Sequence, residues 1–327
     1  MGRRILLLLG AAMLCALLLG GNALFVHALG RKDAYSADPA RYRLGEDRKR
    51  LLIRSWWDSW PDQAQWLSRA RAEDAAVTSR DGLRLSGEAF WNAEGGHRWV
   101  ILVHGYGSTH VSMLGLAAYY GAAGYHALLP DARACGGSEG DWIGMGWLDR
   151  LDLIAWAQWI LQRDPEARIA LHGVSMGGAA VMMAAGEALP PQVRAVVEDC
   201  GYASVWDTFR LRVNQDFHLP AFPLVNAASA VCAVRAGYGI VGASAVRQVQ
   251  KARVPVLFIH GGADDYVPTE MVYRLYDACA SEKQLLVVEG AGHAVSYRYA
   301  PKLYFDTVFA FLDRFFAPDA EFSENQP

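Results

Sequence analysis

The stretch Gly173-Val174-Ser175-Met176-Gly177 constrains this chain more than any other, because it sets a serine between two glycines where a strand pattern gives way to a helix pattern. Residues 168–172 read as a short buried strand, and residues 178–185 are small and helix-forming. A side chain at Gly173 or Gly177 would collide with the neighbouring strand or helix if the turn is this sharp. Ser175 is then pushed out at the top of a sheet, in the arrangement called a nucleophile elbow. Small-residue turns containing serine also arise by chance, so the motif needs partners before it carries chemistry.

Partners follow in the chain order serine, acid, histidine that such an elbow requires. The apolar, β-branched run 254–259 reads as a buried parallel strand and leads into His260-Gly261-Gly262-Ala263-Asp264-Asp265. Either acid could orient an imidazole, and either could instead cap the helix beginning near Thr269. A further short strand, 285–288, opens into the glycine-rich loop Glu289-Gly290-Ala291-Gly292-His293-Ala294, which presents His293 as the candidate general base. A lone loop histidine usually has no role. Strand, turn and reactive residue recurring three times in the required order outweigh that reading.

Acyl transfer builds negative charge on a carbonyl oxygen, and fixed backbone N–H groups stabilise it without reorganising. The strand 99–103 ends in His104-Gly105-Tyr106-Gly107, so the expected donors are the N–H of Met176, just after the nucleophile, and the N–H of Tyr106. His104 is expected to brace this loop by hydrogen bonding rather than to react.

On these segments the chain resembles the α/β-hydrolase superfamily, in its serine-aminopeptidase or lysophospholipase-like branch. Asp131-Ala132-Arg133-Ala134-Cys135-Gly136-Gly137-Ser138 is similar to the family's Asp-x-Arg-x-x-Gly-x-Ser loop, which shapes the site, and residues 142–152 resemble a membrane-anchored bacterial subgroup. The likeness spans about 77–316 and is weakest over 202–249. It implies an α/β fold: a mostly parallel twisted sheet with helices on both faces and a helical cap. The family pattern also places the acid four residues after the strand-end histidine, which selects Asp264 over Asp265.

Composition agrees with one large core, since 327 residues with 53% hydrophobic content suffice for a single sheet domain. A net charge of −3 and no basic stripe interleaved with aromatics argue against nucleic acid. The nine histidines are scattered without a His-Glu-x-x-His or paired Cys-x-x-Cys signature, so no metal is expected. No cofactor is expected either, because the glycines at 105, 107, 136 and 137 suit turns of this fold better than a pyrophosphate cradle. Cys135, Cys200, Cys232 and Cys279 could form two bridges, though lone buried thiols fit their spacing better.

Near the N-terminus, Arg3-Arg4 precedes an uncharged run over 5–30, long enough to cross a bilayer core of about 30 Å. Residues 1–32 are read as a retained anchor, with signal-peptide cleavage near Ala23 or Ala28 as the alternative. Basic residues lie on both sides of the run, so orientation is not decided by charge; the domain is expected outside the cytoplasm. Residues 33–75 form a Trp- and Arg-rich juxtamembrane segment in which Trp56, Trp57, Trp60 and Trp66 could seat on a membrane surface. A helix packed on the core suits them slightly better, because Pro61 interrupts the pattern. Residues 76–318 are assigned to the hydrolase domain, with Asp81-Gly82 as a hairpin turn near its start and 319–327 as a tail. Removing residues 1–30 is expected to leave that domain intact.

Residues 202–249 are rich in aromatics and alanine, suggesting a cap with an acyl or otherwise apolar pocket. The expected reaction is acyl transfer to water through Ser175, His293 and Asp264, on a small-molecule ester or lipid, lysophospholipid-like among them. A serine aminopeptidase or amidase is the runner-up, and a non-catalytic membrane-tethered scaffold is the alternative of another class. Oligomeric state is left open.

Overall fold

The computed structural model describes residues 2–31, 46–56, 59–93 and 96–316. Trp57, the basic residues Lys32, Arg41 and Arg43, and the tail 319–327 lie outside the described residues. The chain opens with helices α1 (Gly2–Leu29), α2 (Glu46–Trp56) and α3 (Pro61–Arg69). Strands β1 (Arg71–Thr78) and β2 (Arg84–Trp91) follow as an antiparallel hairpin turning at Gly82, whose φ of +90° favours glycine. The remaining strands are β3 (Arg98–Val103), β4 (His126–Pro130), β5 (Arg168–Val174), β6 (Val193–Asp199), β7 (Val256–Gly261) and β8 (Lys283–Val288).

They make one eight-stranded sheet in the order β1-β2-β4-β3-β5-β6-β7-β8, parallel from β4 to β8. The central strands are buried along almost their whole length, as parallel strands covered on both faces must be. Helices α4 (Leu114–Ala122), α5 (Asp149–Leu161) and α6 (Met176–Ala185) connect them in turn. Between β6 and β7 lie α7 (Val205–Phe217), α8 (Ala221–Arg235) and α9 (Ala245–Val249), and the chain ends in α10 (Glu270–Ala278), α11 (Ser296–Tyr299) and α12 (Pro301–Asp313). One apolar layer joins the sheet to α5, α6 and α10, and the other joins it to α3, α4 and α12.

One boundary differs from that expected. The sheet begins at Arg71 rather than 76, because all of β1 pairs in register with β2 from Arg71↔Trp91 to Thr78↔Arg84. In the Trp-rich segment, α3 packs on the core: Ala64 and Leu67 are fully buried, and the Trp66 ring lies against Gly121, where a Cβ would come within 2.0 Å of it. Trp60 stays exposed.

The larger difference is at the N-terminus. Arg4–Leu29 is apolar and long enough to cross a membrane, with a mean hydropathy of 2.2, yet its two ends behave differently. Residues 5–16 are exposed, whereas Gly21, Leu24, Phe25 and Leu29 form a buried stripe at helical spacing. Gly21 permits the approach, since a Cβ there would lie 2.7 Å from Ala227 of α8. The helix end is wired into the 136–143 loop: Ile143 N–H donates to Leu29 O at 2.8 Å and Arg31 N–H to Asp141 O at 2.8 Å. The Arg31 guanidinium also donates to the carbonyls of Ser138 at 2.6 Å and Gly136 at 2.9 Å. Residues 20–31 therefore pack with the sheet domain's core rather than forming a separate anchor, so the expected removal of residues 1–30 would cut through packed structure. All five cysteines are unbridged, Cys15 exposed and the other four buried.

Candidate active site

Ser175 occupies the link between β5 and α6 with φ +57° and ψ −115°, a left-handed conformation that costs a non-glycine residue energy and persists because the flanks leave no alternative. A Cβ on Gly173 would sit 2.1 Å from Gly177 O, and one on Gly177 would sit 2.0 Å from Val103 O. Both glycines are thus required by sterics, as expected. The Ser175 N–H donates to Asp199 O at 2.8 Å, which ties the turn to β6.

Three residues far apart in sequence converge there. The Ser175 hydroxyl donates to His293 Nε2 at 2.9 Å, and His293 Nδ1–H donates to Asp264 Oδ2 at 2.7 Å. Asp264 Oδ1 accepts the N–H groups of Tyr266 at 3.0 Å and Val267 at 2.9 Å, so the two carboxylate oxygens have separate duties. Asp265 is exposed. Burial alone would raise the Asp264 carboxyl, but hydrogen bonds from His260 and His293 and the nearby imidazole charge outweigh it and hold the group below its usual range. Asp264 is therefore a carboxylate at neutral pH, able to fix the tautomer of His293 and to stabilise its cation.

His260 was only a landmark in the sequence. It closes β7, is fully buried, and its Nε2–H lies 2.9 Å from Val267 O and 3.3 Å from Asp264 Oδ2. Burial disfavours a charge on it, yet Asp264 and Glu198 outweigh that effect and raise its pKa. Behind it, burial pushes Glu198 up to about 8 and Asp199 up to about 6. The i, i+4 spacing of His260 and Asp264 was the one signal available in sequence.

The loop after β3 runs against the nucleophile, since a Cβ on Gly105 would lie 3.4 Å from Ser175 Cβ and 3.9 Å from its Oγ. This puts the Tyr106 backbone next to the elbow, while Met176 begins α6, where the first N–H groups have no intrahelical acceptor. His104 braces the loop. It is fully buried, donates from Nδ1 to Gly105 O at 2.8 Å and accepts the Ala132 N–H at Nε2 at 3.0 Å. Burial lowers its pKa, consistent with a neutral ring using one donor and one acceptor. In the 131–138 loop, Asp131 accepts from His110 and from the Gly137 N–H, and Arg133 binds Asp152 through two hydrogen bonds of 2.9 and 2.8 Å.

Ser175 stands between two cavities. One, of about 190 Å³, is lined by Phe209, Val213 and Phe217 of α7 beside the Arg212–Asp216 pair and, unexpectedly, by Leu24 and Ala28 of α1; the other, of about 320 Å³, includes Ser108, Ser112, His293 and Arg298. Among the described residues, Cys200, Asp264 and His293 have ligand atoms within 4.8 Å of one another. That trio suits a metal poorly, because Asp264 and His293 engage each other and burial keeps the Cys200 thiol protonated.

Residues 98–219 match the family model for the alpha/beta hydrolase fold, and residues 223–297 match that for serine aminopeptidase, S33. The uncharacterized protein YqkD of Bacillus subtilis is 29% identical over 65% of this chain and 70% of its own length. The uncharacterized protein MT2364 of Mycobacterium tuberculosis is 30% identical over 67% of this chain and 72% of its own. Among solved structures, the Pyrococcus furiosus esterase Pf2001 is 24% identical with a TM-score of 0.64, covering 76% of this chain and 92% of that one. The alpha/beta hydrolase GrgF from Penicillium is 20% identical with a TM-score of 0.59 over 75% and 99%. At such identities these two likenesses speak to the fold. With that sheet order, that elbow and these relatives, the chain belongs to the α/β-hydrolase superfamily.

Proposed function

We propose that this chain is a serine hydrolase that cleaves carboxylic esters, with Ser175 as nucleophile, His293 as general base and acid, and Asp264 as the group orienting His293. The observation that carries the reading is the unbroken path from the Ser175 hydroxyl through His293 Nε2 at 2.9 Å and Nδ1 to Asp264 Oδ2 at 2.7 Å, on a turn of positive φ. His293 takes the serine proton as Ser175 attacks the ester carbonyl, and the Met176 and Tyr106 N–H groups receive the developing oxyanion. Collapse expels the alcohol, which leaves with the proton from His293. Water then repeats the cycle on the acyl-enzyme and releases the acid.

An ester suits the site better than the amino terminus of a peptide. The cavity beside α7 has one carboxylate, Asp216, and it lies 3.8 Å from the Arg212 guanidinium, so it is already compensated. The S33 match keeps an aminopeptidase or amidase as the second reading. We place the protein at a membrane through the exposed part of α1, with the catalytic domain outside the cytoplasm.

A fluorophosphonate probe tests the assignment. Wild-type protein should label at Ser175 and hydrolyse p-nitrophenyl esters faster than aminoacyl amides, and Ser175→Ala should lose both labelling and turnover while keeping its melting temperature. Failure of the folded wild type to label would favour a non-catalytic scaffold, and near-normal turnover by Ser175→Ala would remove the assignment.

A further inference from the structure

The half of α1 that docks on the domain also reaches the reaction centre. Leu24, His27 and Ala28 line the same cavity as Ser175, and Ala28 O accepts the Tyr106 hydroxyl at 2.6 Å. Tyr106 belongs to the loop that runs against the nucleophile. One contact therefore joins the N-terminal helix to the oxyanion side of the site. Phe209, Val213 and Phe217 of α7 line the same cavity, and Phe217 meets the His27 ring edge-on at 6.0 Å.

The exposed half of α1 leads away from this cavity through an apolar surface. Residues 4–19 rise about 24 Å at 1.5 Å per residue, short of a hydrocarbon core of about 30 Å. A bilayer holding them would reach the docked turns as well. At that level Gly20 meets Leu224 of α8, and the adjoining α7–α8 connection exposes Phe217, Leu219 and Phe222, the last at 74%. Three exposed apolar side chains beside an apolar helix make a continuous lip suited to the lipid interface.

We propose, resting on the ester-hydrolase reading, that α1 is a wall of the acyl pocket as well as the anchor, and that the pocket takes one acyl chain of a membrane-resident ester entering from the bilayer beside α1. The cavity is mostly apolar, with the Arg212–Asp216 pair on the α7 side, and at about 190 Å³ is smaller than most ligand pockets, which suits one slender chain. Its opening and its anchor share one helix, so the chain passes from lipid to Ser175 without crossing water. The alcohol portion occupies the other cavity, toward Ser108 and Arg298.

The test uses the full chain reconstituted in phosphatidylcholine nanodiscs, with p-nitrophenyl acetate and octanoate as probes. Leu24→Trp narrows the pocket and should lower the octanoate-to-acetate ratio of kcat/KM at least tenfold, and Leu24→Ala should shift it the other way. If both ratios stay within twofold of wild type, α1 is not a wall of the acyl pocket and the inference fails. A second arm replaces Leu219 and Phe222 by aspartate. Octanoate turnover in nanodiscs should then fall at least fivefold relative to the same ester dispersed in detergent, and an equal fall in both media would refute entry from the bilayer. If wild-type protein neither labels at Ser175 nor hydrolyses either ester, the ester-hydrolase reading itself has failed and takes the inference with it. That result is distinct from an active enzyme whose ratios do not move.

Discussion

Asp264→Asn tests the site most sharply, because hydrogen bonding dictates which way the new amide points. Oδ1 accepts the Tyr266 and Val267 N–H groups, a position only the amide oxygen of asparagine can fill. The NH₂ group must then take the place of Oδ2, facing His293 Nδ1 at 2.7 Å. A donor there forces Nδ1 to accept, which moves the ring proton to Nε2. His293 would then present a proton to Ser175 instead of a lone pair. Loss of the correct tautomer together with loss of the charge that stabilises the imidazolium is worth about 10⁴-fold in turnover, or about 5.5 kcal/mol of barrier. Asp265 is exposed, so Asp265→Asn should change turnover less than about tenfold. The assay is kcat/KM on one activated ester for both variants, with melting temperatures to show that each is folded. A loss below tenfold for Asp264→Asn would refute the reasoning, and a larger loss for Asp265→Asn would move the acid by one position.

Gly177→Ala should destabilise the fold by about 3 kcal/mol or more, since its Cβ would meet Val103 O at 2.0 Å, whereas Gly292→Ala, with open space around it, should leave the melting temperature almost unchanged. Phe25→Ala should cost about 3–5 kcal/mol by emptying a fully buried site against Trp142; a melting curve in detergent identical to wild type would show that α1 does not share the core. Burial raises the Glu198 carboxyl to about 8, well above its ordinary 4.5, so the fold favours its protonated form, and the stability from it is complete below about pH 4.5 and lost as pH rises through 8. Glu198→Gln cannot ionise and should show a smaller drop in melting temperature between pH 5 and 8 than wild type; equal drops would mean that Glu198 does not titrate in that window.

What could be read from sequence is what local sterics and chain order decide. Gly173 and Gly177 announce a turn too tight for side chains, and the strand ends before Asp264 and His293 announce where reactive groups can emerge. The aromatic- and alanine-rich block 202–249 falls between β6 and β7, where the resemblance placed an insertion, and His104 could be assigned a bracing role from its position after β3. Trp66 on its own gave no sign that it would fill the space over Gly121, since a buried tryptophan and one lying on a membrane obey the same apolar preference.

The N-terminal run marks the limit of the sequence most clearly. Leucine, alanine and glycine occupy both the face that Gly21, Leu24, Phe25 and Leu29 turn to the core and the face they leave outside. Hydrophobic periodicity distinguishes core from water, and a run that is apolar on every face carries no such period. Only tertiary structure decides which side docks, through shape: the space left by Gly21 for Ala227, and the carbonyls of Gly136 and Ser138 placed to receive Arg31. The sequence by itself determined the elbow and the order of the candidate reactive residues, which follow from backbone geometry within a few residues, and through the family those motifs resemble it implied the fold class. Tertiary packing decided that the first helix belongs to the core and that His260 stands behind Asp264, because each depends on surfaces brought together from distant parts of the chain.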